Sequence, residues 1–149
     1  MTITRTQAEQ ELVSRAKNKM SMVGMTVTTA GTNASLDSPL ATALRKMGLS
    51  ASATVSNADL TALSIDQIDE FYDRAELRLL ENIYNNFDLA NMKHGGRWED
   101  FKDLVQTIEK RITQLRETVA STYGEGGSTL TGGYIGLDFA EKLDDEVDA

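Results

Sequence analysis

Cysteine is absent from the 149-residue chain, and histidine, proline and tryptophan occur once each. Without cysteine there is no disulfide, no thiolate nucleophile and no Cys-ligated zinc or iron–sulfur centre, and a single histidine excludes a multi-His metal site. No apolar run approaches the ~20 residues that span a bilayer, so no membrane partner is expected. The opening Met1-Thr-Ile-Thr-Arg-Thr6 has no apolar stretch behind a basic one. Neither secretion nor organelle import is therefore expected, and the chain should act in the compartment where it is made. Cations are also scarce: 15 Lys and Arg face 23 Asp and Glu, for a net charge of -8. That disfavours sequence-specific nucleic-acid binding, because neutralising phosphates needs concentrated Lys and Arg. What is present, 40% hydrophobic and 26% charged residues, suffices for one modest core.

The charge is uneven. From residue 124 onward, Glu125, Asp138, Glu141, Asp144, Asp145, Glu146 and Asp148 face Lys142 alone, so six of the eight net negative charges lie in this stretch. It also holds Gly124, Gly126, Gly127, Gly132, Gly133 and Gly136, six of the eleven glycines, which raises the entropy cost of ordering it. The expected organisation is a helical body over residues 1–124 followed by a flexible acidic arm over 125–149.

Start and stop signals divide the body. Thr6 with Glu9 three residues on has the capping-box relation, and Leu12, Val13, Ala16, Met20 and Val23 form one stripe before Gly24, predicting a helix from Thr6 to Met22. Residues 25–37, rich in Thr, Ala, Gly and Ser, read as loop or extended chain. Ser38-Pro39 opens a second helix carrying Leu40, Leu44 and Met47 and stopped by Gly48. Ser56 to Leu63 reads as a short capped turn, and Ser64 with Gln67 as another capping box.

Two longer patterns carry most of the signal. Ile68, Tyr72, Ala75, Leu79, Ile83 and Phe87 recur at helical spacing, predicting about six turns with one apolar face that Leu77 and Leu80 widen. Trp98, Phe101, Val105, Ile108, Ile112, Leu115, Val119 and Thr122 follow strict alternating steps of three and four, a heptad seam. A helix over residues 97–123 would be about 40 Å long, and burying its apolar seam is worth roughly 10–20 kcal/mol before entropy, so it cannot stand alone in water. Gly95-Gly96 breaks the pattern between the two. The expected fold class is all-α: a helical bundle built on a long antiparallel hairpin over residues 65–123, with an extended C-terminal arm. A coiled coil with a second chain is the alternative use of the same seam.

No pattern of catalytic type stands out. Gly124-Glu-Gly-Gly127 and Gly132-Gly133 lack the lysine and helix that make a phosphate cradle. His94, beside Lys93 in a glycine-ended loop, reads as an exposed turn residue rather than a general base. Asp66, Asp69, Glu70 and Asp73 share a helix face that could hold a divalent cation, but acidic residues also favour a first turn through the helix dipole, and a solvated face is the simpler reading. Glu109, Lys110, Arg111, Arg116 and Glu117 read as decoration of the outer face of the heptad helix. No catalytic, cofactor or metal site is expected, and the chain is read as non-enzymatic.

The acidic arm holds apolar residues that solvation does not explain. Leu130, Tyr134, Ile135, Leu137 and Phe139 fall within ten residues, and exposed side chains of this kind usually mark an interaction site. Interleaved with glycine and β-forming residues, they are the candidate partner-binding residues, suited to adding a strand or peptide anchor to a partner. The alternative is that they pack back on the chain's own helices or stay uncovered.

The runs Ala75-Glu-Leu-Arg-Leu-Leu-Glu-Asn-Ile83 and Leu104-Val-Gln-Thr-Ile-Glu-Lys-Arg-Ile-Thr-Gln-Leu-Arg116, then Tyr123-Gly124, resemble small helical head proteins of tailed bacteriophages. Ser38-Pro-Leu-Ala-Thr-Ala-Leu-Arg-Lys-Met-Gly48 and Asn57-Ala-Asp-Leu60 fit the same pattern. The resemblance is to head-to-tail connector, or adaptor, proteins. It implies a structural virion protein at the head–tail interface, assembled in the host cytoplasm. By the same resemblance, neighbouring subunits form a ring, commonly dodecameric, under the portal protein, and an extended C-terminal arm docks onto it. Tail or nozzle proteins are the implied partners on the other side. The other function in view is a free coiled-coil interaction module that dimerises through residues 98–119 and binds a regulatory partner.

Overall fold

A computed structural model describes residues 2–87 and 98–124. Among them every regular element is helical: α1 (Arg5–Met22), α2 (Asp37–Lys46), α3 (Asn57–Leu60), α4 (Ile68–Asn85) and α5 (Trp98–Thr122), with single 3-10 turns at Ala34–Leu36 and Ile65–Gln67. The all-α expectation holds for these residues. No described helix is long and apolar enough to cross a membrane.

Most start and stop signals act as read, with one shift of frame. The N-cap of α1 is Thr4, not Thr6: its hydroxyl accepts from the Gln7 N–H at 3.2 Å, and the Gln7 carboxamide accepts from the Thr4 N–H at 2.9 Å. Glu9, the expected partner of Thr6, is fully buried and engaged elsewhere. Helices α1 and α2 both end on Schellman turns. Gly24 (φ 78°) and Gly48 (φ 81°) take the left-handed position, and the residues after them, Met25 and Leu49, donate back to the Met20 and Leu44 carbonyls at 2.9 Å. Pro39 occupies the third position of α2 rather than the first, where its missing N–H is still among the donors without an intrahelical partner. Ser56 caps α3 with Asp59, and the Gln67 carboxamide accepts from the Ser64 N–H at 3.0 Å.

Helix α4 is the central element, packed against α1, α2 and α5. It is shorter than expected, ending at Asn85, although Phe87 beyond it is buried. Tyr72, Ala75, Leu79 and Ile83 are buried as their spacing requires, and so are Phe71 and Leu80, because α4 is covered on more than one side. Leu12, Met20, Leu36, Leu40, Leu44 and Leu60 complete a core that admits no solvent at these positions. Of the seam residues on α5 with described side chains, Ile108, Ile112, Leu115 and Val119 are buried within this one chain, Val105 is half-buried and Thr122 is exposed. The sense of α4 against α5 follows from their cross-links: Tyr84 near one end bonds Glu109, and Asp73 near the other bonds Tyr123. The two helices therefore run antiparallel.

Candidate functional site

The expected partner-binding residues, Leu130, Tyr134, Ile135, Leu137 and Phe139, lie outside the described residues, as does His94. Within the described body, the side chains with unusual chemistry collect at two polar nodes, each built on a buried carboxylate, and sequence reading found neither.

The first node joins α1 to the loop before α2. Arg5, 4% exposed, donates from Nε to Glu9 Oε2 at 2.7 Å, from Nη1 to Asp37 Oδ1 at 2.7 Å and to the Val55 carbonyl at 2.8 Å, and from Nη2 to the Asn33 carbonyl at 2.6 Å. Glu9 also accepts from the N–H groups of Gly31 (2.7 Å) and Asn33 (2.8 Å). Asn33 is buried and donates from Nδ2 to the carbonyls of Thr26 and Thr28. Buried charge and buried amide thus supply each other's partners, as burial demands. The consequence is local order: a stretch with too little apolar content to fold itself is pinned to α1 by polar bonds.

The second node lies where α1, α4 and α5 meet. Glu76, 3% exposed, receives the fork of Arg111 at 2.9 Å through both Nε and Nη2, and Arg15 Nη1 at 3.0 Å. Arg15 also bonds Asp73 at 3.3 Å and Glu11 at 2.7 Å, and its guanidinium stands 5.6 Å above the Tyr72 ring. Burial by itself would lift the Glu76 carboxyl, but the bonds and charges of Arg111 and Arg15 outweigh it and hold the group below the ordinary carboxylate range. The Tyr123 hydroxyl is pushed up to about 12, first by its bond to Asp73 and further by burial and by the charges of Asp73, Asp69 and Glu70.

This node corrects two expectations. Glu109, Arg111 and Arg116 do not merely decorate the outer face of α5. They cross to α4, bonding Tyr84 Oη (2.7 Å), Glu76 and Glu81 (2.9 Å) respectively. The four carboxylates of Asp66 to Asp73 are not one free acidic face either: Glu70 bonds Arg74 at 2.8 Å, and Asp73 is shared by Arg15 and Tyr123. Among the described residues, no group of three or more His, Asp or Glu side chains is placed to hold a metal ion.

An open cleft of about 620 Å³ runs between α4 and α5, with Ile112 and Thr113 along α5 and Tyr84 and Asn85 along α4. Its Glu81 and Arg116 bond each other, and its Glu109 bonds Tyr84. These four polar side chains of the cleft are thus engaged in holding α5 to α4. A scan against protein-family models, a search of curated proteins and a search of solved structures each gave no match.

Proposed function

We propose that this chain is a non-enzymatic structural protein of a tailed-phage virion, a head-to-tail adaptor. Residues 1–124, built on the antiparallel hairpin 65–123, form its body, and residues 125–149 form an extended docking arm. Neighbouring copies assemble into a ring under the portal protein, and the arms engage the portal or the next subunit through Leu130, Tyr134, Ile135, Leu137 and Phe139. The reading is carried by one observation: Ile108, Ile112 and Leu115 are buried in one core with Leu79, Leu80 and Ile83 of the chain's own α4, and Val119 is buried as well. These seam residues are therefore spent inside the subunit, and association is assigned to the apolar residues after Gly124. The free coiled-coil module would have to strip this seam from α4 before dimerising. In a closed ring each arm acts with many others, so a modest affinity per arm still gives a durable joint. The net charge of -8 also keeps such a ring from holding DNA that passes through it.

The test uses the full chain with Tyr134→Asp and Phe139→Asp together, co-sedimented with portal-bearing, tail-free capsids. Burying two aromatic anchors implies that binding weakens roughly a hundredfold in the double variant while the unbound chain keeps its helicity and melting temperature. Equal binding by both proteins, or no binding by either, contradicts the proposal.

A further inference from the structure

The last turn of α5 has little to hold it through its own sequence. Beyond Val119, residues Ala120, Ser121 and Thr122 are exposed, and serine and threonine are weak helix formers. No Lys or Arg in that turn offsets the helix dipole. A terminus of this composition frays. Two bonds nevertheless fasten it to adjacent residues of α4. Tyr123 Oη donates to Asp73 Oδ2 at 2.7 Å, and Arg74 Nη2 donates to the Gly124 carbonyl at 3.3 Å. The α4 ends of both bonds are themselves held. Asp73 accepts from Arg15 of α1, and Arg74, only 6% exposed, is anchored by Glu70.

We propose that Tyr123, Asp73 and Arg74 form a latch that fixes the C-terminal end of α5 on α4. Opening it unwinds residues 120–124 while the seam from Ile108 to Val119 stays packed. The two parts separate because they rest on different interactions. The seam is held by apolar burial, whereas the final turn is held by two polar bonds at one edge. Arg15 of α1 bonds the same Asp73 and ties the latch to a third helix. The latch stands whether or not residues 125–149 engage a portal.

Amide hydrogen exchange on the full chain tests it, with Tyr123→Phe removing only the hydroxyl and Arg74→Met removing the bond to the Gly124 carbonyl. Losing one such bond is expected to speed exchange at residues 120–123 about tenfold in Tyr123→Phe. Amides of Ile108, Ile112 and Leu115 should exchange as in the parent. Arg74→Met should show the same confinement to the last turn. Unchanged exchange at 120–123 in both variants overturns the proposal, and so does a uniform acceleration along α5, which would mean that the turn and the seam open as one.

Discussion

Glu9→Ala should destabilise the protein by about 4 kcal/mol, the largest single-residue effect expected at any charged position. The carboxylate is fully buried, and its removal strands three donors at once: the Arg5 guanidinium and the N–H groups of Gly31 and Asn33. Arg5 is itself 4% exposed, so the Nε edge that Glu9 held cannot turn to water, and only Asp37 on Nη1 still offsets the charge. A buried guanidinium left with Asp37 as its one remaining carboxylate accounts for most of the loss, and the orphaned amides add to it. In a domain of this size the change corresponds to a melting temperature lower by about 15 °C. Glu9→Gln keeps the shape and an acceptor but not the charge, and should lose about half as much. Thermal melts of the three proteins check the order, which a loss caused by side-chain volume alone would not produce.

Glu76→Ala should cost less, about 2 kcal/mol, although Glu76 is nearly as buried and holds two arginines. The difference lies in what remains. The Arg111 and Arg15 side chains are 40% and 26% exposed, so water takes up their charges once the carboxylate is gone. The same node gives a pH signature. Glu76 titrates below its ordinary value of 4.5 in the folded protein. Its contribution is therefore complete above about pH 4.5 and is lost as pH falls through the depressed value. Tyr123 is the reverse case. Raised from 10.0 to about 12, it contributes fully below pH 10 and is lost as pH climbs through 12. Denaturant melts across pH should therefore show the stability gap between parent and Glu76→Ala narrowing in acid, while the alkaline limb of the two stays parallel.

The elements legible in the sequence are those written in local terms. Repeats of three and four gave α4 and α5 their buried stripes, and Gly24 and Gly48 end helices because the left-handed backbone at those points suits glycine alone. Local pattern does not fix the frame of α1, because Thr4 with Gln7 and Thr6 with Glu9 have the same spacing, and only tertiary structure decides between them. Glu9 is drawn inward by donors 22 and 24 residues away, a pairing that no periodicity encodes. One signal was nonetheless available. Arg5 and Glu9 continue the spacing of Leu12 and Ala16, so charged residues occupy an apolar stripe, as Glu76 does between Tyr72 and Leu79. A charge in such a position implies a buried partner rather than a solvated face. Residues 25–37 read as loop or extended chain, and up to the 3-10 turn at Ala34–Leu36 they are loop, but how they are held is not legible, since their order comes from Asn33 and Glu9 and not from their own composition. The proposal of docking residues between Leu130 and Phe139 rests on apolar character in the sequence, and these residues lie outside the described ones.

The proposed body depends most on α4 and α5 closing on each other within one chain. Because the protein has no cysteine, a single labelled pair can be introduced cleanly at the exposed positions Arg78→Cys and Glu117→Cys. Spin-label distance measurement on the full chain should give a separation of roughly 20 Å or less, given helix axes about 8–10 Å apart. That distance should persist unchanged in a large excess of unlabelled protein. A short distance that disappears on dilution with unlabelled chains would place the contact between two molecules and contradict the account.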